Sequence, residues 1–203
     1  GNHADVLKHL VLALIVDHLT HKAAPFAVMD THGGRGAYAL DGQEAQRSPE
    51  WRAGVGRIWD WADAPAAMAP YLSALRAANP DGVLAQYPGS PVIAVAGMRA
   101  QDRLVACELH PEEAGALKRR LADDPRAQIH QRNGFEAMGA LLPFPERRGL
   151  VLIDPPYEDR DHETIQCVRA LHRAFDHFAY ATYAWWRPVK DLREVDMADR
   201  ELL

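Results

Sequence analysis

The chain has 203 residues, 48% of them hydrophobic and 25% charged, which suits one folded domain and excludes an intrinsically disordered segment. A formal charge of −5 leaves no broad basic footprint, so a nucleic-acid partner would have to be held by a local patch. Two cysteines, Cys107 and Cys167, without paired spacing exclude a disulfide framework and a thiolate zinc site, and point to a reducing cytoplasm.

The richest apolar stretch, Val6 to Leu19, is broken by Lys8, His9, Asp17 and His18, so it reads as a helix of a folded domain and not as a membrane span. Over 4–21, Val6, Leu7, Leu10, Val11, Leu14 and Ile15 recur at helical spacing, with Asp5 at the end where a carboxylate complements the dipole. Phe26-Ala27-Val28-Met29 is a short apolar run closed by Asp30-Thr31-His32-Gly33-Gly34-Arg35-Gly36, the pattern of a buried strand leading into a glycine turn. Residues 45–88 differ. They hold Trp51, Trp59 and Trp61, several prolines and alanine-rich helical stretches such as 64–78, with no strand pattern, and read as a small helical insertion. Ser90 is placed as a helix cap, with Pro91 at the first helical position.

From there the rhythm is regular. Strands are expected at 103–107, 127–130, 149–153 and 179–186, and helices at 111–122, 135–142 and 161–176. This alternation predicts a single α/β domain over 1–203, a mostly parallel sheet with helices on both faces. The polar stretch 190–203 suggests no element.

In open parallel sheets, ligands bind beyond the carboxyl ends of the strands. Here the strands end in Asp30 to Gly36, Glu108, Asn133-Gly134 and Asp154-Pro155-Pro156-Tyr157. The last signature is the most specific. Two prolines in series remove two backbone donors and fix φ twice, leaving rigid carbonyls beside a carboxylate. Such a receptor suits an NH2 group, which offers two donors, as adenine N6 does. Asp154 and the Pro155 carbonyl would orient the amine, and Tyr157 would offer its face to the base. The turn Gly33-Gly34-Arg35-Gly36 lacks the lysine of a phosphate-gripping loop, which disfavours nucleotide hydrolysis and suits an uncharged ligand approached by backbone. Glu108 stands where an acid would hold ribose hydroxyls. The ten histidines are scattered, and His18 and His21 lack companions that would complete a site, so no metal is expected. Arg119-Arg120 and Arg147-Arg148 read as solvated pairs within reach of phosphates.

Several segments together resemble one family. Gly1 to His9, Asp30-Thr31-His32-Gly33, Tyr87-Pro88-Gly89-Ser90-Pro91, Glu108-Leu109-His110-Pro111, Arg148-Gly149-Leu150 and Ile153 to Tyr157 look like the signatures of the RlmJ-type 23S rRNA adenine-N6 methyltransferases. The resemblance covers nearly all of 1–188. It implies a Rossmann-like fold dependent on S-adenosylmethionine (SAM), which leaves as S-adenosylhomocysteine. By it, His9, His32, Gly33, Ser90, Glu108, Asn133, Gly134 and Asp154 line the SAM pocket. Asp154, Pro155 and Tyr157 carry the chemistry, and Lys8 with Tyr157 faces a 23S rRNA substrate. A cytoplasmic monomer is expected, with no metal and no membrane partner. Asn133 stands where the family has an aspartate, and the chain is shorter than the family pattern at both ends, so the last strands of the sheet are expected to be missing. Without the resemblance, DNA adenine-N6 methylation, glutamine methylation and a non-catalytic nucleic-acid-binding domain with a relic SAM pocket stay open.

Overall fold

The computed structural model describes residues 1–187 other than 43, 44 and 46; the stretch 190–203 lies outside the described residues. Helix α1 (His3–Thr20) leads into strand β1 (Ala27–Asp30) and a short strand β2 (Ala37–Ala39). Two 3-10 turns and helices α2 (Val55–Ile58) and α3 (Ala69–Ala77) follow, then strand β3 (Gln86–Pro88) and helix α4 (Ser90–Gly97). The remainder alternates: β4 (Arg103–Glu108), α5 (Pro111–Arg120), β5 (Ala127–Gln131), α6 (Gly134–Leu141), β6 (Gly149–Ile153), α7 (Arg160–Phe178) and β7 (Thr182–Trp185).

Five strands form one sheet in the order β5-β4-β1-β6-β7, and every pair in it is parallel. The α/β expectation therefore holds. Because the pleat alternates, Val28, Leu104, Ala106, Leu150 and Leu152 join one core with Leu12 and Val16 of α1, Ile93 of α4 and Leu117 of α5. Met29, Val105, Cys107, Val151 and Ile153 join a second core with Phe135 and Met138 of α6 and Cys167, Leu171 and Phe178 of α7. All four residues of β1 are buried, as a central strand covered on both faces requires. Each such aliphatic side chain contributes roughly 1.5–3 kcal/mol.

Three details depart from the sequence reading. The start of α1 is fixed by a reciprocal cap, Asp5 N–H to Asn2 Oδ1 at 3.0 Å and Asn2 N–H to Asp5 Oδ2 at 3.1 Å. The helix then buries His9, Leu12, Ala13, Val16 and Leu19, whereas Leu7 and Val11 stay 54% and 42% exposed. Apolar residues lie all around this helix, so spacing alone does not choose the buried face. Second, residues 86–88 are not helical but form β3, antiparallel to β2, with Tyr38 opposite Tyr87. Three residues ending in proline give no alternation to read. Third, Gly89 and not Ser90 is the N-cap of α4, so Ser90 and Pro91 are its first two residues and the Ser90 side chain caps nothing.

At the amino edge of the sheet two arginines fasten the α1–β1 loop. Arg99 donates to the carbonyls of Thr20, Lys22 and Ala24 and to the buried Asp102 carboxylate, which also accepts from Phe26 N–H. Arg148 donates to the carbonyls of Leu19 and Ala24. Both guanidinium groups lie over the Phe26 ring, at 5.6 and 5.8 Å from its centroid.

Two glycines test this packing in opposite directions. A Cβ at Gly149 would stand 2.1 Å from the Ala27 carbonyl oxygen inside the β1–β6 ladder. Gly149→Ala is expected to cost at least about 2 kcal/mol in urea unfolding. Gly139, in α6, has nothing within 4 Å of such a Cβ, so Gly139→Ala should be neutral or stabilising by up to about 1 kcal/mol in the same titration.

Candidate active site

Parallel pairing sets the strand ends side by side along one edge, in the order Asn133 after β5, Glu108 at the end of β4, the Asp30–Gly36 turn after β1, and Asp154 after β6. Three inter-strand spacings separate the outer members of this row, about 14 Å. A cleft of about 770 Å³ opens here, lined by His32, Gly34, Glu108, Asn133, Gly134, Asp154, Pro155 and Tyr157 among others. A side hollow of about 160 Å³, lined by Asp5, Lys8, His9, Gly33, Tyr87 and Ser90, shares His32, Tyr38 and Asp154 with it. All site residues named from the sequence therefore meet, in two communicating compartments. A second hollow of about 770 Å³, bounded by Arg35, Gln86, Arg119 and Arg120, contains none of the strand-end carboxylates of β4 or β6.

Glu108 is buried, and both its oxygens are held by backbone. Oε2 accepts from Gly34 N–H at 2.9 Å, and Oε1 from His110 N–H at 2.8 Å. The glycine turn is thereby tied to β4, with Gly34 in the left-handed region at φ 58°. With two amides, and no cation among the described residues, each carboxylate oxygen keeps a lone pair for a hydroxyl. Gly134 packs against Thr31: a Cβ there would lie 2.0 Å from the Thr31 carbonyl oxygen, so only glycine permits this approach. Asn133 is the N-cap of α6, its Oδ1 accepting from Phe135 N–H at 2.8 Å and Glu136 N–H at 3.2 Å.

Asp154 closes the other end. Its Oδ2 forms a short ion pair with Lys8 Nζ, which also lies 3.5 Å from Asp5 Oδ1. Burial raises the Asp154 pKa above the ordinary carboxylate range, and the Lys8 charge opposes that rise. Lys8 is itself pushed up, its loss of hydration outweighed by Asp154. Tyr157 adopts φ 56°, an uncommon conformation for a tyrosine. Its hydroxyl donates to the Trp186 carbonyl at 2.6 Å and accepts from Trp185 Nε1 at 2.8 Å, which fixes the ring against the end of β7.

The two imidazoles are held neutral. His9 is fully buried, with Nδ1 2.8 Å from the Tyr87 hydroxyl; burial first, then the Lys8 charge, lower its pKa to about 3. Burial lowers His32 to about 4, with its ring edge-on to Phe135 at 5.0 Å. Asp30 does not stand out in the sequence as a site residue, though it opens the glycine-turn signature. It is buried, its Oδ1 accepts from His32 N–H at 3.2 Å, and Oδ2 has no partner among the described residues. Burial raises it to about 6, against the Ser90 hydroxyl and the His32 amide. Trp186, also in the cleft wall, escapes sequence reasoning in the same way, although its place after the last strand marks the same edge. Among the described residues no cluster of three or more His, Cys, Asp or Glu side chains is arranged to hold a metal ion, and no helix is long and apolar enough to cross a membrane.

Residues 23–202 match the family described as "Ribosomal RNA large subunit methyltransferase D, RlmJ". Two curated proteins named "Ribosomal RNA large subunit methyltransferase J" are similar over 190 residues: one from Haemophilus influenzae at 44% identity and one from Escherichia coli at 43%, each covering 93% of this chain and 67% of the relative. A crystal structure of a Legionella pneumophila protein, assigned to the DUF519 family, superposes with a TM-score of 0.92 at 35% identity, over 100% of this chain and 74% of that one.

The neutral His9 carries a pH signature. Its folded pKa lies below that of the unfolded chain, so the unfolded state binds the proton and stability falls as pH drops from 6.5 toward 3. Replacing His9 by glutamine removes this dependence. The stability advantage of the parent over His9→Gln, measured by urea unfolding, should shrink by on the order of 2 kcal/mol between pH 7 and pH 4. A constant difference would mean that His9 does not titrate in this window.

Proposed function

Since the chain belongs to the ribosomal RNA large subunit methyltransferase J family, we propose that it transfers a methyl group from SAM to N6 of an adenine in 23S ribosomal RNA. The observation that carries this reading is the Asp154-Pro155-Pro156-Tyr157 turn at the end of β6, opening into the same cleft as Glu108 and Asn133. Glu108, Gly34, Asn133 and Gly134 fit the cofactor: an amide-held carboxylate for ribose hydroxyls, and glycines that let the backbone of the cleft wall pack closely, Gly134 against Thr31. His9, His32, Gly33 and Ser90 complete its surroundings. Bound there, SAM supplies a methyl group already activated on a sulfonium. The stretch 45–88, which ends in β3, is read within this proposal as an insertion in one methyltransferase domain.

The chain's own part is to prepare the amine. The lone pair of adenine N6 is delocalised into the ring. Accepting its two N–H groups, by Asp154 and the Pro155 carbonyl, favours a pyramidal nitrogen with an available pair. Asp154 accepts most strongly, and can take up a proton, only while ionised, and its burial works against ionisation. The Lys8 ammonium on Oδ2 keeps the carboxylate charged and leaves Oδ1 for the substrate. After transfer the nitrogen is cationic, and Asp154 or water takes its proton. The target base has to leave its stack to reach the cleft, and stacking on the anchored Tyr157 returns about 1–3 kcal/mol. The same lysine also lines the side hollow, and in this reading it faces the substrate side of the site.

Labelled methyl should move from SAM to 23S rRNA and appear as N6-methyladenosine. Asp154→Asn should lower the rate by at least about 100-fold. Label in duplex DNA or in protein glutamine would keep the chemistry and overturn the substrate. SAM binding without transfer to any acceptor would leave a binding domain.

Lys8→Met gives an independent reading from the pH–rate profile. Activity falls as pH drops through the Asp154 pKa, and without Lys8 burial acts unopposed, so the acid limb should move to higher pH. A rate lowered equally at every pH would argue against this role for Lys8.

A further inference from the structure

The cap of α6 fixes which end of the Asn133 amide meets the ligand. Two backbone N–H groups, of Phe135 and Glu136, point at its side chain, and only the oxygen can accept them. Oδ1 is therefore committed to the helix, and the Nδ2 donor is left for the cleft, where Asn133 forms part of the wall. Among the described residues Nδ2 has no partner. Next to it, Gly134 N–H is the first amide of α6, with no intrahelical acceptor of its own. This corner of the cleft thus offers two donors from consecutive residues. The nearest carboxylate along the sheet edge, Glu108, has each oxygen already drawn to a backbone amide.

We infer that Asn133 makes the purine end of the cleft a donor-only edge, which takes the cofactor through acceptor nitrogens of the adenine ring and leaves its exocyclic amine unread. This rests on the SAM reading above. Since Asn133 and Asp154 lie at opposite ends of the row of strand ends, the purine of a ligand whose reacting methyl faces Asp154 falls beside Asn133. An aspartate at this position would cap equally well through one oxygen and turn the other, an acceptor, toward the amine. The helix cap would be unchanged, but the cofactor's 6-position would then be read.

The test is calorimetric binding of S-adenosylhomocysteine and of its N6,N6-dimethyl analogue, which has no N6 donor, to the parent protein and to Asn133→Asp. The parent is expected to bind the two ligands within about 3-fold of each other. Asn133→Asp should bind S-adenosylhomocysteine about 5- to 10-fold more tightly than the parent does, and should lose at least about 10-fold on the dimethyl analogue. A parent that discriminates against the analogue by 10-fold or more overturns the inference, as does an aspartate variant with the parent's ratio. Failure of both proteins to bind S-adenosylhomocysteine overturns the cofactor reading itself and this inference with it. Unchanged urea unfolding of the variant verifies that the cap survives.

Discussion

A parallel strand covered by helices on both faces has no room for polar side chains along its length, so its chemistry is driven to its end. In β1 all four residues are buried, and β6 is buried throughout. Polar groups begin at the last residue of β1, Asp30, and directly after β6, at Asp154, where the chain leaves the sheet. Since every pair in the five-stranded sheet is parallel, these exits lie on one edge. Residues as far apart in sequence as Glu108 and Asp154 come to line one cleft through this constraint. The cleft needs no further device to assemble it.

The same constraint made most of the fold legible. Apolar runs bounded by polar or glycine-rich signatures marked the five core strands to within a few residues, and Asp154, Glu108 and Asn133 stood out as the polar residues at their carboxyl ends. Legibility failed where the deciding contact is remote or local geometry is silent. The Lys8–Asp154 pair joins residues 146 positions apart; the lysine's role was suggested by family likeness alone. Helix α1 is apolar on several sides, so periodicity could not say that His9 faces inward and Leu7 outward. Strand β3 is not legible because Gln86-Tyr87-Pro88 is too short to alternate, and its partner β2 lies across the whole intervening helical stretch of the chain. The type of residue 133 was plain, but not the direction of its amide, which the cap alone decides.

Electrostatically the site is a set of desolvated groups, each biased in its protonation by the burial and charges around it. His9 and His32 are held neutral chiefly by burial, which at His9 outweighs the opposing charge of Asp5 and is reinforced by Lys8. The carboxylates differ in their support. Glu108 has two amides, Asp154 has a lysine, and Asp30 has one backbone amide and a hydroxyl beside it, with burial raising its pKa to about 6. A carboxylate held by amides alone is suited to neutral hydroxyls. One held by a cation on a single oxygen is suited to accept from an amine on the other.

The arginine clamp at the amino edge bears on the site through the length of α1. Arg99 and Arg148 grip the carbonyls where this helix ends, at Leu19 and Thr20, while Lys8 projects near its beginning. Eleven residues of helix separate Lys8 from Leu19, about 16 Å, so a tilt of some 4° at the clamp would swing the ammonium by roughly 1 Å. That distance separates a charge-assisted hydrogen bond from a mere neighbour. The helix thus joins the two ends of the protein: the loop held by Arg99 and Arg148 fixes the direction along which Lys8 is aimed at the carboxylate.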